Sequence, residues 1–158
     1  MRPTVYIETT IPSFYHSVRV EPDMVALREW TRSWWNDERQ HYHVCTSDAV
    51  LDELETGNHP MRDEKIGLIQ NLAFLEITYA IAEIVAVYHE HRLMPRDDSG
   101  DALHLALASF HKCDYLLTWN CKHLANANKF GHIRRINGLP HLPTPELVTP
   151  LELVQENL

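Results

Sequence analysis

The chain is poor in cysteine, with only Cys45, Cys113 and Cys121 among its 158 residues. An odd number of cysteines without paired spacing is not typical of a disulfide framework and favours a reducing compartment. No apolar run approaches the length that spans a bilayer. The N-terminus lacks a secretory pattern, because its short apolar run ends at Glu8. We therefore expect a cytoplasmic protein that does not insert into membranes.

Several motifs of nucleotide and hydrolase chemistry are also missing. The sequence contains no GxxxxGK[ST], no GxGxxG and no GxSxG. Its 11 histidines raise zinc as an alternative, but the close pairs at 41 and 43 and at 89 and 91 have no cysteines at finger-like spacing. Nucleotide cofactors, serine hydrolysis and a zinc finger therefore have no support.

Acidic residues are absent from one long segment. The net charge of −8 is unusual for a protein that binds nucleic acid, because phosphates attract basic surfaces. Residues 115–145, however, contain no Asp or Glu, and the remaining chain holds all 22 acids against 10 Lys and Arg. The basic residues of the segment are Lys122, Lys129, Arg134 and Arg135. This asymmetry hints at a partner surface, and a chance run of neutral residues explains it equally well.

What the sequence does contain is an alternation of strand and helix patterns over a length that fits one domain, residues 1–158. Strands are predicted at residues 4–7, 42–46, 74–79, 114–119 and 133–136. Helices are predicted from Pro22 onward and at residues 47–57, 62–73, 80–93, 101–112, 120–127 and 151–156. Ser47 is predicted to cap the helix at 47–57. The alternation predicts an α/β fold, a three-layer α/β/α sandwich with a mainly parallel central sheet.

Carboxylates occur where such a fold places its ligands. Ligands of parallel sheets bind beyond the carboxyl ends of the strands. The positions that follow strands or begin helices are 8–9, 47–48, 101 and 119–120, and three of these four offer an acid. Acids crowded in a pocket repel each other unless a cation lies among them. The pattern favours a site for Mg²⁺ or Mn²⁺, ions that support phosphodiester hydrolysis.

Each candidate also has an ordinary structural explanation. Glu8 ends an apolar strand, but it is equally well explained as a solvated loop residue. Asp101 begins a helix, where the helix dipole alone favours an acid. Glu53 and Glu55 flank the core face of their helix on opposite sides, and helical geometry does not choose between them. The amide of Asn120 suits a metal ligand or a helix cap.

Other residues near this edge are less informative. Thr9 and Thr118 lie close enough in the pattern to orient water or phosphate. His104 follows Asp101 by three residues and can reach the edge of the site, although a core or surface position is the stronger expectation. Core positions are likewise expected for the four tryptophans, Trp30, Trp34, Trp35 and Trp119, rather than roles as base-stacking platforms.

Four short segments together resemble the PIN-domain family, especially the VapC-like toxins of bacterial and archaeal type II toxin–antitoxin pairs. They are residues 6–13 (YIETTIPS), 47–54 (SDAVLDEL), 101–106 (DALHLA) and 116–124 (LLTWNCKHL). Their order and separations match over nearly the whole chain. The resemblance implies a PIN-like fold and an endoribonuclease that uses Mg²⁺ or Mn²⁺ to cleave RNA. It also implies a homodimer that a cognate antitoxin neutralises.

By that resemblance Glu8, Glu53 and Asp101 are the metal ligands, which selects Glu53 over Glu55. Asn120 and Thr118 complete the catalytic set. The chain departs from the family at the first ligand, where Glu replaces the usual Asp, and at Asn120, where Asp is common. Three carboxylates and an amide predict one well-bound metal and a second bound poorly. Sequence-independent contacts to the RNA backbone are expected from Lys122, Lys129, Arg134 and Arg135.

Two other functions use the same residues. Glu8 and Asn120 favour a catalytically weak PIN scaffold that acts as a binding or regulatory module. A DNA nuclease or a phosphatase would need the same metal ions.

Overall fold

The central sheet of the computed structural model, which describes residues 1–95 and 99–155, has five parallel strands. Their order across the sheet is β3-β2-β1-β4-β5, and all four pairings are parallel. The strands are β1 Thr4–Ile7, β2 His43–Ser47, β3 Ala73–Leu75, β4 Tyr115–Leu117 and β5 Glu146–Val148. Helices flank this sheet, so the predicted three-layer α/β/α class with a parallel sheet is confirmed.

The described residues contain seven α-helices, and each of them lies between two strands in the sequence. They are α1 Thr10–Tyr15, α2 Pro22–Ser33, α3 Asp48–Glu55, α4 Arg62–Ile69, α5 Tyr79–Glu90, α6 Ser99–Phe110 and α7 Ala127–Gly138. A π-helical turn, Trp34–Glu38, and a 3-10 turn, Arg39–His41, connect α2 to β2. None of the helices in the described ranges is long and apolar enough to cross a bilayer.

The strand order decides which face each helix covers. The chain steps from β1 to β2 to β3 in one direction, and then crosses back to β4 and β5 in the other. Because parallel crossovers are right-handed, the first four helices cover one face and the last three cover the other. In agreement, α1 packs on α2 and α4, while α5 packs on α6. The direction of the crossovers reverses between β1 and β4, which is where parallel sheets bind ligands.

Local chemistry explains where the helices begin. Pro22 occupies the first turn of α2, where its missing N–H group costs nothing. Ser47 caps α3 by accepting a hydrogen bond of 3.2 Å from the backbone N of Ala49, as predicted. Asn126 caps α7 in the same way, through a 3.0 Å bond from the N–H of Asn128.

Several elements of the structure differ from the predictions. The strand predicted at residues 133–136 is wrong, because Ile133 and Ile136 lie one helical turn apart on the buried face of α7. The helix predicted at 120–127 is also wrong: turns fill this segment up to the cap of α7. The last strand, β5, was not predicted at all. Of the terminal helical turn expected at 151–156, only 151 and 152 form a turn, and 156 lies outside the described residues.

The core confirms part of the tryptophan prediction. Trp34 and Trp35 are 2% and 6% exposed, and the indole N–H of Trp34 donates to the Leu153 carbonyl at 2.9 Å. The prediction is wrong for Trp30, whose side chain is 44% exposed. The central strand β1 is buried on both faces, since Val5, Tyr6 and Ile7 are fully inaccessible.

Candidate active site

The first candidate carboxylate, Glu8, follows β1 directly at the carboxyl edge of the sheet. It is only 3% exposed. Its Oε1 accepts a 2.9 Å hydrogen bond from the backbone N of Thr10, and the Thr10 hydroxyl donates to the same oxygen. The Thr10 hydroxyl oxygen in turn accepts from the backbone N of Trp119 at 2.9 Å. Thr10 thus joins the end of β1 to the segment after β4.

The second carboxylate, Glu53, reaches this edge from α3. Its Oε2 accepts a 2.6 Å hydrogen bond from the Thr9 hydroxyl, and its Oε1 lies 2.7 Å from Nε2 of His104. Glu55 is exposed, so of these two acids it is Glu53 that contacts the residues at this edge. Gly100 makes room for this carboxylate, because a Cβ on Gly100 would lie 2.7 Å from Glu53 Oε1.

His104 is a central residue of the site, although the sequence pattern favoured a position elsewhere for it. It lies one turn after Asp101 on α6 and is 1% exposed. Its Nδ1 is 2.7 Å from the Tyr6 hydroxyl, which is 2.8 Å from the Ser47 hydroxyl. A continuous polar chain therefore runs through the buried edge from Ser47 to Glu53. The three-residue spacing from Asp101 was the available signal, because it places both side chains on one helix face.

The charges of the site act on each other. Burial alone would lower the pKa of His104, but the hydrogen bond and charge of Glu53, together with the charges of Glu8 and Asp101, raise it. Burial alone would raise the pKa of Glu53, but His104 and Thr9 lower it. We therefore describe this contact as an imidazolium–carboxylate pair, in which Nε2 of His104 donates to Glu53. All three predicted acids lie within electrostatic reach of this one cation.

Glu8 behaves differently from Glu53. Its burial raises its pKa to about 7, even though His104, Thr10 and Thr118 act in the opposite direction. Burial therefore outweighs the favourable contacts of Glu8, and this carboxyl group holds its proton more strongly than Glu53 does. The site carries an excess of negative charge that a bound cation would relieve.

Asn120 and Thr118 form hydrogen bonds that hold the segment after β4 in place. The Asn120 side-chain oxygen accepts from the backbone N of Lys122 and of His123, at 3.2 and 3.0 Å, which fixes the orientation of the amide. Its Nδ2 consequently faces Asp101 and donates to Oδ2 at 3.0 Å. An aspartate at this position would repel Asp101, so the amide positions that carboxylate. The Thr118 hydroxyl accepts from the Asn120 backbone N at 2.8 Å.

The oxygen atoms of the site are ligands that suit a hard divalent ion, but they do not form a complete coordination shell. Among the described residues, no three His, Cys, Asp or Glu side chains are grouped so that they could hold one metal ion. Both oxygens of Glu53 are already engaged by Thr9 and His104. Mg²⁺ usually needs only one or two carboxylates, and it completes its shell with water and substrate phosphate. Glu8 and Asp101 are the pair that suits it.

The predicted RNA-binding residues do not form one surface. Lys129 lines a cleft of about 910 Å³ together with His89, Arg92 and His123, and its ammonium donates to the Leu93 carbonyl at 2.7 Å. Burial lowers the pKa of Lys129, and the charge of Asp101 opposes this shift, so Lys129 lies within electrostatic reach of Asp101. Lys122 and Arg135 are exposed.

Arg134 lies at the opposite edge of the sheet. Its guanidinium is 5.9 Å from the centre of the Phe130 ring, and it lines a small cavity with Thr144 and Glu146. Glu146 is the first residue of β5, and this cavity therefore lies at the amino edge of the parallel sheet. The structure thus separates Arg134 from the candidate site.

The comparisons with known proteins leave the family open. No protein-family model, curated protein or solved structure matches this chain. The resemblance to PIN domains therefore stays a prediction from the four sequence segments.

Proposed function

We propose that the protein is a ribonuclease that cleaves RNA phosphodiester bonds with Mg²⁺ or Mn²⁺. The observation that carries this proposal is the meeting of Glu8, Glu53 and Asp101 around His104. These acids come from a strand end and two helices and lie at the carboxyl edge where the crossover direction reverses. A fold that only needed stability would gain little from this arrangement, since Glu8 is buried and the burial of a carboxylate is costly.

In this proposal the residues of the site have separate roles. Glu8 and Asp101 would hold the ion, and Glu53 would contribute through water while it keeps its contacts to Thr9 and His104. When bound, such an ion supplies an activated water and neutralises charge on the phosphate. Thr118 and Asn120 would position the water or the phosphate.

Tyr6 and His104 hold Glu53 in place from the core side. The buried hydrogen-bond chain through these two residues fixes the Glu53 carboxylate. In this proposal His104 is a positioning residue, and its positive charge also reduces the repulsion among the three acids in the absence of an ion.

We also propose that the enzyme is the toxin of a type II toxin–antitoxin pair in the cytoplasm. The acidic surface outside residues 115–145 would suit a basic segment of a cognate antitoxin. A homodimer is part of this proposal through the family resemblance alone.

The test is a substrate panel. Purified protein is incubated with single-stranded RNA, with DNA of the same sequence and with a phosphomonoester, each in Mn²⁺ and in EDTA. We expect cleavage of the RNA in Mn²⁺ only, and no cleavage by Asp101→Asn. Intact RNA together with a hydrolysed phosphomonoester would reject the proposal in favour of a phosphatase.

A second candidate function is a binding module that lacks catalysis. It is favoured by the pairing of Glu53 with His104, because an internal cation already neutralises part of the acidic cluster. This candidate predicts that no substrate of the panel is cleaved in either condition, and that Mn²⁺ does not change the thermal stability of the protein.

A further inference from the structure

Three aromatic side chains from separate elements form a cluster around Trp119, the residue between Thr118 and Asn120. The centre of the Trp119 ring is 6.5 Å from the Phe14 ring, with an interplanar angle of 69°. It is 6.3 Å from the Trp30 ring, and these two indoles are inclined by only 31°. We call Trp30 and Trp119 the aromatic platform.

One member of the aromatic platform is firmly anchored. The indole N–H of Trp119 donates to the Thr31 hydroxyl oxygen at 2.8 Å. Thr31 is fully buried, and its own hydroxyl donates to the Leu27 carbonyl at 2.6 Å. The backbone N of Trp119 is held by Thr10, which also holds Glu8. Trp119 is thus a fixed support for Trp30.

The other member faces outward. Trp30 is 44% exposed although it lies on a helix whose next residue is fully buried. A large aromatic residue that stays exposed while it rests on a rigid indole is an unusual use of apolar surface, and such surfaces commonly mark binding sites. A single flat ring face of this kind suits a flat aromatic ligand more than a bulky aliphatic side chain.

The position of the platform indicates which flat ligand would use it. Trp119 lies between Thr118 and Asn120 in the chain, and its backbone shares Thr10 with Glu8. A ligand that stacks on the platform and also places a phosphate at the carboxylates needs rings and phosphates in one chain. Nucleic acids have this chemistry. Unpaired nucleobases offer such free ring faces, whereas bases within a duplex are covered by their neighbours.

We propose that Trp30, supported by Trp119, stacks on an unpaired nucleobase of the RNA and thereby positions the neighbouring phosphodiester at Glu8 and Asp101. This inference rests on the proposed function and adds the residue that positions the substrate. Stacking tolerates every base, so this contact carries no sequence preference.

The test measures binding without cleavage. A fluorescently labelled single-stranded oligoribonucleotide is titrated with the full chain in EDTA and again in Ca²⁺, and the intactness of the oligonucleotide is verified on a gel. Trp30→Ala is expected to weaken binding by about 5- to 150-fold, the range for the loss of one stacked base. Trp30→Phe is expected to keep most of the affinity, because it retains a ring.

Two controls isolate the stacking contact. Tyr79→Ala removes another exposed aromatic residue, 80% accessible, at the start of α5, and is expected to leave the affinity unchanged. An abasic oligonucleotide of the same length has phosphates but no rings. It is expected to bind wild type and Trp30→Ala equally.

The outcomes separate this inference from the proposed function. If wild type cleaves RNA in Mn²⁺ but Trp30→Ala binds the oligonucleotide as tightly as wild type does, the stacking inference is wrong and the nuclease stands. If binding depends on Trp30 but no RNA is cleaved, the inference stands and the nuclease proposal fails. If wild type binds no RNA and Trp30→Ala only changes its self-association, the platform is a protein interface and the inference is overturned.

Discussion

At the level of single residues, the site is a balance of three acids against one buried imidazolium. Glu53 has the closest contact with His104 and stays ionised, whereas Glu8 has only the longer-range charge of His104 and holds its proton up to about pH 7. The pKa values of the two acids are therefore shifted in opposite directions. Glu8 is the residue whose ionisation costs the fold most.

The first prediction concerns the pH dependence of stability. The pKa of Glu8 is raised from 4.5 to about 7, so the native state binds more protons than the unfolded state between these values. The free energy of unfolding therefore falls as the pH rises through this window, by up to about 3 kcal/mol from this group. Glu8→Gln keeps an oxygen for Thr10 but cannot ionise. Urea unfolding in EDTA should show it close to wild type at pH 4.5 and more stable than wild type at pH 8. Parallel curves for the two proteins would contradict this account.

The second prediction uses two neighbouring acids of α3. Glu53→Gln removes the charge that pairs with His104, and we expect RNA cleavage to fall by about 100-fold or more, the effect of a group that fixes catalytic geometry. Glu55→Gln is the matched control, since Glu55 is exposed on the same helix. Single-turnover cleavage of a labelled RNA in Mn²⁺ measures both. Equal losses in the two variants would remove Glu53 from the site.

At the level of elements, the first turn of α6 carries several parts of the site at once. Gly100 leaves space for Glu53, Asp101 receives the Asn120 amide, and His104 follows one turn later. The helix thus sets the distances between the acid of α3 and the acid of its own first turn.

The third prediction tests this space with two glycines in helices. In Gly100→Ala the new methyl group would displace the Glu53 carboxylate from His104. Cleavage should fall by about tenfold or more, equivalent to at least about 1.4 kcal/mol in the barrier, and the pKa of His104, followed by NMR, should decrease. Gly131→Ala on α7 meets no atom within 4 Å. It should stabilise the protein by up to about 1 kcal/mol through helix propensity and leave cleavage unchanged. An active Gly100→Ala enzyme with an unchanged His104 pKa would refute the packing argument.

The elements also show where sequence patterns succeed and fail. The strand at 4–7 and the cap at Ser47 were predicted because each has a strong local cause, a buried β-branched run and a hydroxyl before a helix. Residues 133–136 were misassigned because two isoleucines favour strands locally, while their three-residue spacing buries both on one helix face. Strand β5 has only three residues and depends on its pairing with β4, which local sequence does not reveal.

For the molecule as a whole, the excess of negative charge must be reconciled with an RNA substrate. Lys129, which lines a cleft with Arg92 and His123, lies within electrostatic reach of Asp101, whereas Arg134 lies at the far edge of the sheet. The four basic residues predicted from composition are therefore not equivalent. Linear sequence could not separate them, because their separation arises from the crossover between β4 and β5.

The fourth prediction follows from this separation. Lys129→Ala should weaken RNA binding and flatten the slope of log affinity against log salt by about 0.7, the value for one lost contact to a single-stranded phosphate. Arg134→Ala should leave the slope unchanged, since its guanidinium lies over Phe130 near Glu146. Anisotropy titrations over a range of NaCl concentrations measure both slopes. Equal slopes for the two variants would place the RNA elsewhere.

The sequence could predict the acids of the candidate site. It could not predict that His104 lies among them or that Trp30 packs against Trp119. Glu8 and Asp101 were identified because strand ends and helix starts converge in any parallel sheet. Glu53 lies inside a helix and was chosen over Glu55 only through the family resemblance. His104 was undervalued because a buried histidine is usually a core residue, and its role depends on Tyr6 and Glu53, which are distant in sequence. The exposure of Trp30 depends on the packing of Trp119 against Thr31, which no local pattern encodes.

The central claim is that acids of distant segments hold one divalent ion, and calorimetric titration with Mn²⁺ tests it most directly. Wild type should bind one ion, and Glu8→Gln and Asp101→Asn should each bind it at least about tenfold more weakly, a loss of about 1.4 kcal/mol or more. Asp52→Asn, an exposed acid on α3, should bind as wild type does. No binding by wild type, or equal binding by all four proteins, would contradict the claim.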